Sequence, residues 1–216
     1  MTSESERHMD RFSAEAAAWD EQPGKVERAR AAADAIRRAL PLNPRMTALE
    51  VGGGTGLLAR ALSDTLGPVT VTDVAPGMVE AAAAVLADAQ YEGWRVAQYD
   101  IEHDPLPDER YDIVFSLLAL HHMGDVGAVI ERMYALLNPG GLVALLDLDH
   151  DPDGGFHASV ADFDGHHGFA RESISGWLEA AGFADRALTT GLVDHKVVDG
   201  ETREFPLFLA TARRPG

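Results

Sequence analysis

Short apolar runs and longer amphipathic stretches alternate along most of the chain. The apolar runs predict five strands, at 47–51, 68–73, 95–99, 111–117 and 142–148. Helical periodicity predicts helices between them at 55–66, 78–89 and 126–137. Strands that alternate with helices form right-handed crossovers, so this order predicts a doubly wound parallel sheet.

The two ends of the chain carry different patterns. The first 40 residues read as helical, and Pro41 and Pro44 end the last amphipathic stripe. This predicts an N-terminal helical cap over 1–44, followed by a main domain over 45–216. After a loop at 149–168 and a helix at 171–181, strands are predicted at 184–190 and 204–211.

The two last strands have no helix between them, and Asp199-Gly200 is a turn signal, so an antiparallel hairpin is expected. The predicted fold is therefore α/β and Rossmann-like, with a doubly wound seven-stranded sheet. The sheet is mostly parallel and has an antiparallel last strand. In such sheets, ligands bind beyond the carboxyl ends of the strands.

Composition narrows the class of protein. The 216 residues are 46% hydrophobic, which suits one domain with a substantial core. No apolar run reaches the roughly 18 residues that a membrane span needs, and residues 1–12 do not resemble a signal peptide. The absence of cysteine excludes disulfides, a thiolate nucleophile and cysteine-ligated metal. These features favour a cytoplasmic protein.

The charge bears on partners. The chain contains 35 Asp and Glu but only 18 Lys and Arg, which gives a net charge of −17. Nucleic acids and anionic membranes are bound largely through Lys and Arg, so neither is an expected partner. Solubility alone also accounts for the acidity. A small-molecule partner is expected, in a monomer or homodimer.

Three glycines stand between the first strand and its helix. Gly52, Gly54 and Gly56 allow a tight turn and the close approach of a ligand. The loop alone is ambiguous, because Gly54-x-Gly56-x-x-Ala59 also fits the dinucleotide fingerprint. A tight turn without any ligand is a further alternative.

Three acids near the strand ends separate these alternatives. Glu50 precedes the glycines, where a carboxylate could engage the amino group of a methionine moiety. Asp73 ends the second strand and could accept hydrogen bonds from ribose hydroxyls, as NAD enzymes also do. Asp100 follows the third strand, beside Ile101, where an acid can accept the adenine amino group and an apolar neighbour can pack on the ring.

Together these motifs resemble the class I S-adenosylmethionine-dependent methyltransferases. Glu50-x-Gly52-x-Gly54-x-Gly56 is similar to the family's acidic-glycine motif, and Thr72 to Met78 to its second-strand motif. Tyr111 to Ser116 and Leu136 to Gly141 are similar to its fourth strand and to the turn before its fifth. Phe12 to Asp20 resembles the N-terminal cap of a small-molecule branch similar to the ubiquinone-biosynthesis type.

The resemblance implies S-adenosylmethionine as cofactor and S-adenosylhomocysteine as its product. It also implies an aromatic residue over the cofactor, for which Trp19 is the candidate, with plain packing as the alternative. The expected cofactor-binding residues are Trp19, Glu50, Gly52, Gly54, Gly56, Asp73, Val74, Met78, Asp100, Ile101 and Ser116.

Histidines concentrate in the second half of the chain. Six of nine are His121, His122, His150, His157, His166 and His167. A nitrogen or oxygen acceptor must lose a proton when it is methylated, and histidine can take it near neutral pH. The candidate catalytic residues are His121, His122, His166 and His167, with local packing and helix-start roles as the alternative.

A second hypothesis is that the clustered histidines and nearby aspartates bind a metal ion. Imidazoles together with Asp147, Asp149, Asp151 and Asp153 are ligand types that suit zinc, iron or manganese. No compact ligand motif such as H-E-x-x-H occurs, and the sequence therefore assigns no metal ligand.

The expected function is transfer of a methyl group from S-adenosylmethionine to an N or O nucleophile, less favourably C or S, of a small molecule. Ser116-Leu117-Leu118-Ala119 replaces the tetrapeptide of DNA amino-methyltransferases, which argues against DNA as the acceptor. Two alternatives stay open: a cofactor-binding regulatory protein without catalysis, and an NAD(P)-dependent oxidoreductase.

Overall fold

The computed structural model of the chain describes residues 4–160 and 162–216. The described strands are β1 Ala48–Val51, β2 Val69–Asp73, β3 Arg95–Gln98, β4 Tyr111–Leu117, β5 Leu137–Leu148, β6 Ala184–Val198 and β7 Glu201–Arg213. The described α-helices are α1 Glu4–Glu15, α2 Pro23–Ala39, α3 Leu57–Ala61, α4 Pro76–Leu86, α5 Val126–Leu136 and α6 Arg171–Ala180.

The strands form one sheet in the order β3-β2-β1-β4-β5-β7-β6. The pairs from β3 across to β5 are parallel, while β7 is antiparallel to both β5 and β6. The predicted seven-stranded, mostly parallel sheet with an antiparallel last strand is confirmed. Strand order reverses between β1 and β4, so their carboxyl ends flank the crevice where ligands of such sheets bind.

Helices cover both faces of the sheet and build two cores. On one face, α5 and α6 bury Val129, Met133 and Leu178 completely. On the other face, α2 and α3 bury Ile36 and Leu58. The central strands are fully buried at 113–116 of β4 and 143–148 of β5, as expected for parallel strands that are covered on both sides.

The N-terminal segment has two parts with different positions. Helix α1 and the short 3-10 helix that follows it, Ala16–Ala18, contact α4 near the carboxyl ends of the strands. Helix α2 begins with Pro23 at its first turn and packs against α3 in the core. The predicted boundary between cap and domain at residue 44 stays a prediction.

Helix α3 is shorter than the sequence predicts, since it ends at Ala61 and not at 66. The reason lies in Arg37 of α2, whose guanidinium donates to the Ala61 carbonyl and to the side chains of Asp64 and Thr65. These contacts stabilise the turn at 62–65, whose polar side chains compete with helix formation.

Strand β5 begins earlier than predicted, directly after α5 at Leu137. The segment Asn138 to Gly141, predicted as the turn before the fifth strand, belongs to β5 in the structure, although Gly140 has a positive φ of 81°. Gly140 donates to the Arg214 carbonyl at 2.9 Å, and Arg214 donates back to Gly141 at 2.8 Å. Pairing with the end of β7 therefore draws this segment into the sheet.

The hairpin of β6 and β7 is about twice as long as predicted, and it turns at Asp199-Gly200 as expected. Register shifts at Ala184/Ala187 and Thr190/Leu192 mark bulges in β6. The outer part of the hairpin buries Val198 and Phe205 against Phe156 of the predicted loop at 149–168. That loop contains a 3-10 turn, Gly155–His157.

None of the helices in the described part of the chain has both the length and the apolar character needed to cross a membrane.

Candidate active site

The glycine loop lies at the carboxyl end of β1. Gly52, Gly54 and Gly56 all have positive φ, at 63°, 56° and 78°. A Cβ at Gly52 would lie 2.4 Å from the Ala119 Cβ, so the segment after β4 packs directly on the loop. A Cβ at Gly54 would meet nothing closer than 3.7 Å, and its neighbours there are Met78 Sδ and Trp19 Nε1. The backbone at Gly54 is therefore open to close approach by a ligand, which is the property that a nucleotide-binding loop requires.

Glu50 lies beneath this loop and is only 2% exposed. Its carboxylate accepts a 3.3 Å hydrogen bond from the Ala59 amide and lies against Gly53. Burial raises the pKa of Glu50 to about 8, against the opposing effects of the Ala59 amide and Arg60. The carboxyl group therefore holds a proton at neutral pH unless a cation approaches it.

Asp73 ends β2 beside the loop. One carboxylate oxygen accepts from the Gly54 amide at 2.8 Å, and the other accepts from the Ala75 amide at 2.9 Å. Burial raises the pKa of Asp73 despite these two hydrogen bonds. Because each oxygen has a second lone pair, the side chain keeps acceptor capacity for a ligand hydroxyl.

Asp100 follows β3, and its carboxylate accepts from the amides of Glu102 and His103 and contacts the His103 ring at 2.9 Å. The hydrogen bond to Asp100 raises the pKa of His103. Ile101 is 3% exposed and packs in the core with Val51. The packing of Ile101 on an adenine ring stays a prediction.

The other predicted cofactor residues differ in accessibility. Ser116 is fully buried, and its hydroxyl donates to the Val51 carbonyl at 2.8 Å, which ties β4 to β1. The Val74 carbonyl accepts from Gln98 at 3.0 Å. Met78 is 1% exposed and packs with Phe12 and Trp19 in a small cluster over α4.

Trp19 lies over the glycine loop, and the residue after it anchors the segment. Asp20 accepts from the Thr55 hydroxyl at 2.6 Å and pairs with Arg60, so it joins the N-terminal segment to the loop and to α3. The Lys25 ammonium lies 2.8 Å from the centroid of the Trp19 ring. Burial lowers the pKa of Lys25 to about 8.

The segment after β4 carries a buried histidine–aspartate pair. His121 Nδ1 lies 2.7 Å from Asp147 Oδ1, and the two residues are 2% and 0% exposed. Asp147 also accepts from the backbone amides of His121 and Leu148. Asp147, at the end of β5, thus fixes the orientation of the His121 ring.

Two more imidazoles surround His121. The ring centroid of His122 lies 4.1 Å from that of His121, and the ring of His157 lies at 5.0 Å. Phe163 stacks on His157 at 3.6 Å with an interplanar angle of 5°. Burial lowers the pKa of His157 to about 3, and the effects of His121, Lys196, His167 and Arg11 act in the same direction. His157 is therefore neutral at physiological pH.

The remaining two candidate histidines lie at the margin of this cluster. His166 Nε2 lies 3.0 Å from the Met123 carbonyl, and its backbone amide donates to the His121 carbonyl at 2.8 Å. The His167 ring lies 5.3 Å from Phe163 and 6.2 Å from His157. The structure thus brings the loop and the segment after β4 together, while the catalytic role of each histidine stays a prediction.

The aromatic ring of Phe12 connects the two halves of the site. Its centroid lies 5.9 Å from Trp19, over the glycine loop, and 5.2 Å from His122. The glycine loop and the histidines are therefore parts of one continuous site at the carboxyl edge of the sheet, on either side of the Gly52–Ala119 contact.

Sequence reasoning did not single out several residues of this site. Phe163 and the anchoring role of Asp20 carry no motif, and His157 was noted only as one of six clustered histidines. Asp147, a candidate metal ligand by its position in the sequence, is hydrogen-bonded to His121 in the structure. The other acids of that hypothesis are also engaged, since Asp149 pairs with Arg171 and Asp151 accepts from the Phe156 amide.

Comparison with known proteins agrees with this geometry. A family profile described as "Methyltransferase domain" matches residues 25–188, which is most of the chain. The chain is 40% identical over 126 residues to the biotin biosynthesis bifunctional protein BioCD of Bordetella avium, a match that covers 57% of this chain and 26% of that protein. The chain thus spans about a quarter of that relative's length.

Two solved structures illustrate the likeness in fold. The methyltransferase in complex with the Trm112 methyltransferase activator of Haloferax volcanii superposes with a TM-score of 0.74 at 19% identity, over 95% of this chain and 98% of that one. Haemonchus contortus phosphoethanolamine N-methyltransferase 2, in complex with S-adenosyl-L-methionine, gives 0.68 at 17% identity, over 86% of this chain and 52% of that one.

Proposed function

The chain belongs to the family of S-adenosylmethionine-dependent methyltransferase domains, and from this premise we propose that it methylates an N or O nucleophile of a small molecule. The observation that carries the proposal is the continuity of the site. An open glycine loop with its acidic acceptors adjoins a cluster of imidazole and aromatic rings through the contact of Gly52 with Ala119. A donor and an acceptor bound in these two parts would be neighbours.

The residues present fit the cofactor. Gly54 leaves room for the methionine part, Asp73 is the candidate acceptor for the ribose hydroxyls, and Asp100 for the adenine amino group. Trp19 and Met78 would cover the bound molecule. When bound, S-adenosylmethionine supplies an activated methyl group on a positively charged sulfur.

Glu50 adds an electrostatic component to this fit. Its raised pKa reflects a buried carboxyl group that no cationic side chain among the described residues contacts directly. A ligand that carries an ammonium group near the loop would lower that pKa and favour the carboxylate. The site would therefore bind a cation better than a neutral analogue of the same shape.

The acceptor would lie among Phe12, His122, His157 and Phe163. These rings provide flat, largely apolar walls, which suit a planar or aromatic small molecule. His122 is the half-buried member of the histidine pair and contacts Phe12, so it is the leading candidate to take the acceptor's proton. His121, held by Asp147, would position its neighbour.

The remaining parts of the proposal rest on composition. The net charge of −17 favours a small-molecule acceptor over nucleic acid. The absence of cysteine favours the cytoplasm, and the protein would act there as a monomer or homodimer.

The proposal is tested by calorimetric titration with S-adenosylhomocysteine and, separately, with NAD, followed by incubation with labelled S-adenosylmethionine and a panel of small N and O acceptors. We expect S-adenosylhomocysteine to bind, NAD not to bind, and a subset of planar acceptors to be methylated. Binding of NAD alone would overturn the proposal. Cofactor binding without product across the panel would favour the regulatory alternative.

A further inference from the structure

Three imidazoles from two separate segments converge beside the cofactor crevice. His121 and His122 come from the 3-10 turn after β4, and His157 comes from the 3-10 turn in the long loop after β5. One ligand nitrogen of each lies within 4.8 Å of the others, and the three ring centroids are 4.1, 5.0 and 6.2 Å apart.

These spacings are close to those of a three-histidine metal site. With metal–nitrogen distances of about 2.0–2.1 Å, three imidazoles on a tetrahedral zinc ion hold their ring centroids about 5 Å apart. A triangle of nitrogens with sides of 4.8 Å has its centre about 2.8 Å from each nitrogen, against about 1.9 Å for three nitrogens on a tetrahedral ion, so closure needs at most about 0.9 Å of movement per ligand. Side-chain rotation is enough for such a movement.

Asp147 supplies the interaction that metal-bound histidines normally make. With Nδ1 of His121 donating to the buried carboxylate at 2.7 Å, the lone pair stands on Nε2, which is then the ligand atom. Metal-ligating histidines usually donate their other ring N–H to a carboxylate or carbonyl in this way. Asp147 and His121 are therefore arranged like the carboxylate and the histidine of a carboxylate–histidine–metal triad.

His157 provides a second, independent observation. It is 6% exposed, and its Nδ1 is buried without a hydrogen-bond partner among the described residues. A buried polar atom without a partner costs free energy, so such an atom calls for an explanation. Coordination of a cation would explain the unpartnered nitrogen. It would also explain why the His157 ring is held beside the other two imidazoles, where it stacks on Phe163.

A second group that could hold an ion, Asp100 with Glu102 and His103, differs in kind. Asp100 and Glu102 are only half-buried and His103 is exposed, and the Asp100 carboxylate already accepts from backbone amides of its own turn.

We propose that His121, His122 and His157 form a binding site for a divalent transition metal, with zinc or cobalt as fitting ions. Three protein ligands leave at least one coordination position for water or for another oxygen or nitrogen donor. Resting on the proposed function, that position would take the nucleophilic oxygen or nitrogen of the methyl acceptor and hold it next to the cofactor crevice. In the metal-bound protein, the ion would lower the pKa of the acceptor and its proton would pass to solvent, in place of the base role proposed for His122. A hydroxyl or amine acceptor on a planar molecule fits both the metal and the aromatic walls.

The experiment is a titration of the full chain, without a histidine tag and freed of metal by chelation, with Co²⁺. Visible absorption reports the coordination geometry, and elemental analysis reports the stoichiometry. We expect one equivalent of Co²⁺ with the intense d–d absorption of a four-coordinate site, and displacement of Co²⁺ by Zn²⁺. No such absorption, or less than about a tenth of an equivalent bound, would overturn the proposal.

Two variants locate the site. His157→Phe keeps a ring stacked on Phe163 and removes the ligand atom, so we expect Co²⁺ affinity to fall about 100-fold or more. His122→Gln should have a similar effect on the spectrum. His103→Ala is the matched control and should leave both affinity and spectrum unchanged. Retained affinity in both ligand variants, or loss in the control, would overturn the assignment.

S-Adenosylhomocysteine binding separates this inference from the proposed function. His157→Phe protein should still bind S-adenosylhomocysteine, which also shows that the variant is folded. If the unaltered protein binds Co²⁺ at the three histidines but not S-adenosylhomocysteine, the proposed function fails and the metal site stands. The opposite result removes only the metal site.

Discussion

At the scale of single residues, two carboxylates serve the same loop in different ways. Asp73 reaches the loop amide of Gly54 from the side, whereas Glu50 lies below it with the Ala59 amide as its hydrogen-bond donor. Both pKa values are raised by burial. The sequence predicts the positions of both acids, because they follow from the strand ends, but it does not predict their hydrogen-bond partners.

Asp73→Ala is expected to weaken S-adenosylhomocysteine binding by roughly 1–3 kcal/mol, because bound ribose donors lose a charged acceptor and the Gly54 amide loses its partner. Isothermal titration calorimetry measures the change. Glu109→Gln, at an exposed carboxylate away from the loop, is the control and should bind normally. An unchanged affinity in Asp73→Ala would contradict the ribose assignment.

Glu50 predicts proton release on cofactor binding. At pH 7 its carboxyl group is mostly protonated because its pKa is about 8, and the ammonium group of a bound ligand would displace the proton. Titrations in two buffers with different ionisation enthalpies should reveal up to about one proton released per ligand bound. Glu50→Gln should abolish the buffer dependence; its persistence in this variant would assign the proton to another group.

The histidine cluster shows where residue-level prediction stops. His121 and His122 follow β4 by a few residues, so the sequence alone predicts that they lie at the carboxyl edge of the sheet, near the site. His157 lies 35 or more residues later, in a loop without periodicity, and packing with Phe163 and Phe156 of that loop helps to fix its position. No local pattern in the sequence encodes that contact.

At the scale of elements, the short segment between α1 and α2 holds the cap to the domain. Asp20 joins Thr55 and Arg60, and the neighbouring Trp19 covers the loop. The sequence predicts the aromatic cap by resemblance but gives no indication of its anchor, because a side-chain ion pair across 40 residues leaves no local pattern.

Asp20→Asn is expected to loosen this cap and to weaken S-adenosylhomocysteine binding about 5- to 30-fold, because a charge-assisted hydrogen-bond partner is lost. With Trp94 and Trp177 replaced by Phe, the fluorescence of Trp19 reports the cap directly, and its quenching by ligand should diminish. Asp34→Asn, at an exposed acid of α2, provides the comparison. Identical quenching in both variants would show that Asp20 does not hold the cap.

The outer part of the β6–β7 hairpin braces the loop that carries His157. Phe205 packs on Phe156 at 5.5 Å, and the Lys196 ammonium donates to the Phe156 carbonyl at 2.8 Å. Burial lowers the pKa of Lys196 to about 8. The sequence predicts the hairpin turn but not its length, since alternation along the outer strands is weak.

Phe205→Ala should remove about 3–5 kcal/mol of packing from this brace and free the 3-10 turn. Faster hydrogen exchange is expected at the backbone amides of His157 and Val160, which are bonded within the loop. Val193→Ala, at a partly exposed position of the same hairpin, is the control. Equal exchange rates in the two variants would show that the hairpin does not stabilise this loop.

At the scale of the whole molecule, sheet order and function class are the properties that the sequence predicts best. Continuous apolar runs at β4 and β5 indicate strands that are buried on both faces, and the structure confirms them. Boundaries are less predictable wherever distant side chains decide them, as Arg37 does for α3.

The buried Glu50 also shapes the pH dependence of global stability. Its pKa is about 8 in the folded protein and near 4.5 in the unfolded chain, so between these values only the folded protein holds the proton. Its contribution to the free energy of unfolding is complete below pH 4.5 and falls by up to roughly 1.4 kcal/mol per pH unit as pH rises towards 8.

Urea unfolding of the protein and of Glu50→Gln across pH 5–8 measures this contribution. The difference between their free energies of unfolding should change in favour of the Gln variant as pH rises. A constant difference over this range would show that Glu50 is ionised in the folded protein.

The position of β7 in the sheet has a consequence for the order of folding. The strand that comes last in the described part of the chain lies second from the edge of the sheet, and within that part β6 pairs with β7 alone. Leu142 of β5 pairs with Arg213 of β7, which is synthesised some seventy residues later, so this half of the sheet cannot form before then. During synthesis, β5 therefore leaves the ribosome with one edge unpaired, a state in which exposed strand edges promote aggregation. Such a chain is expected to depend on chaperones until its last strand has been made.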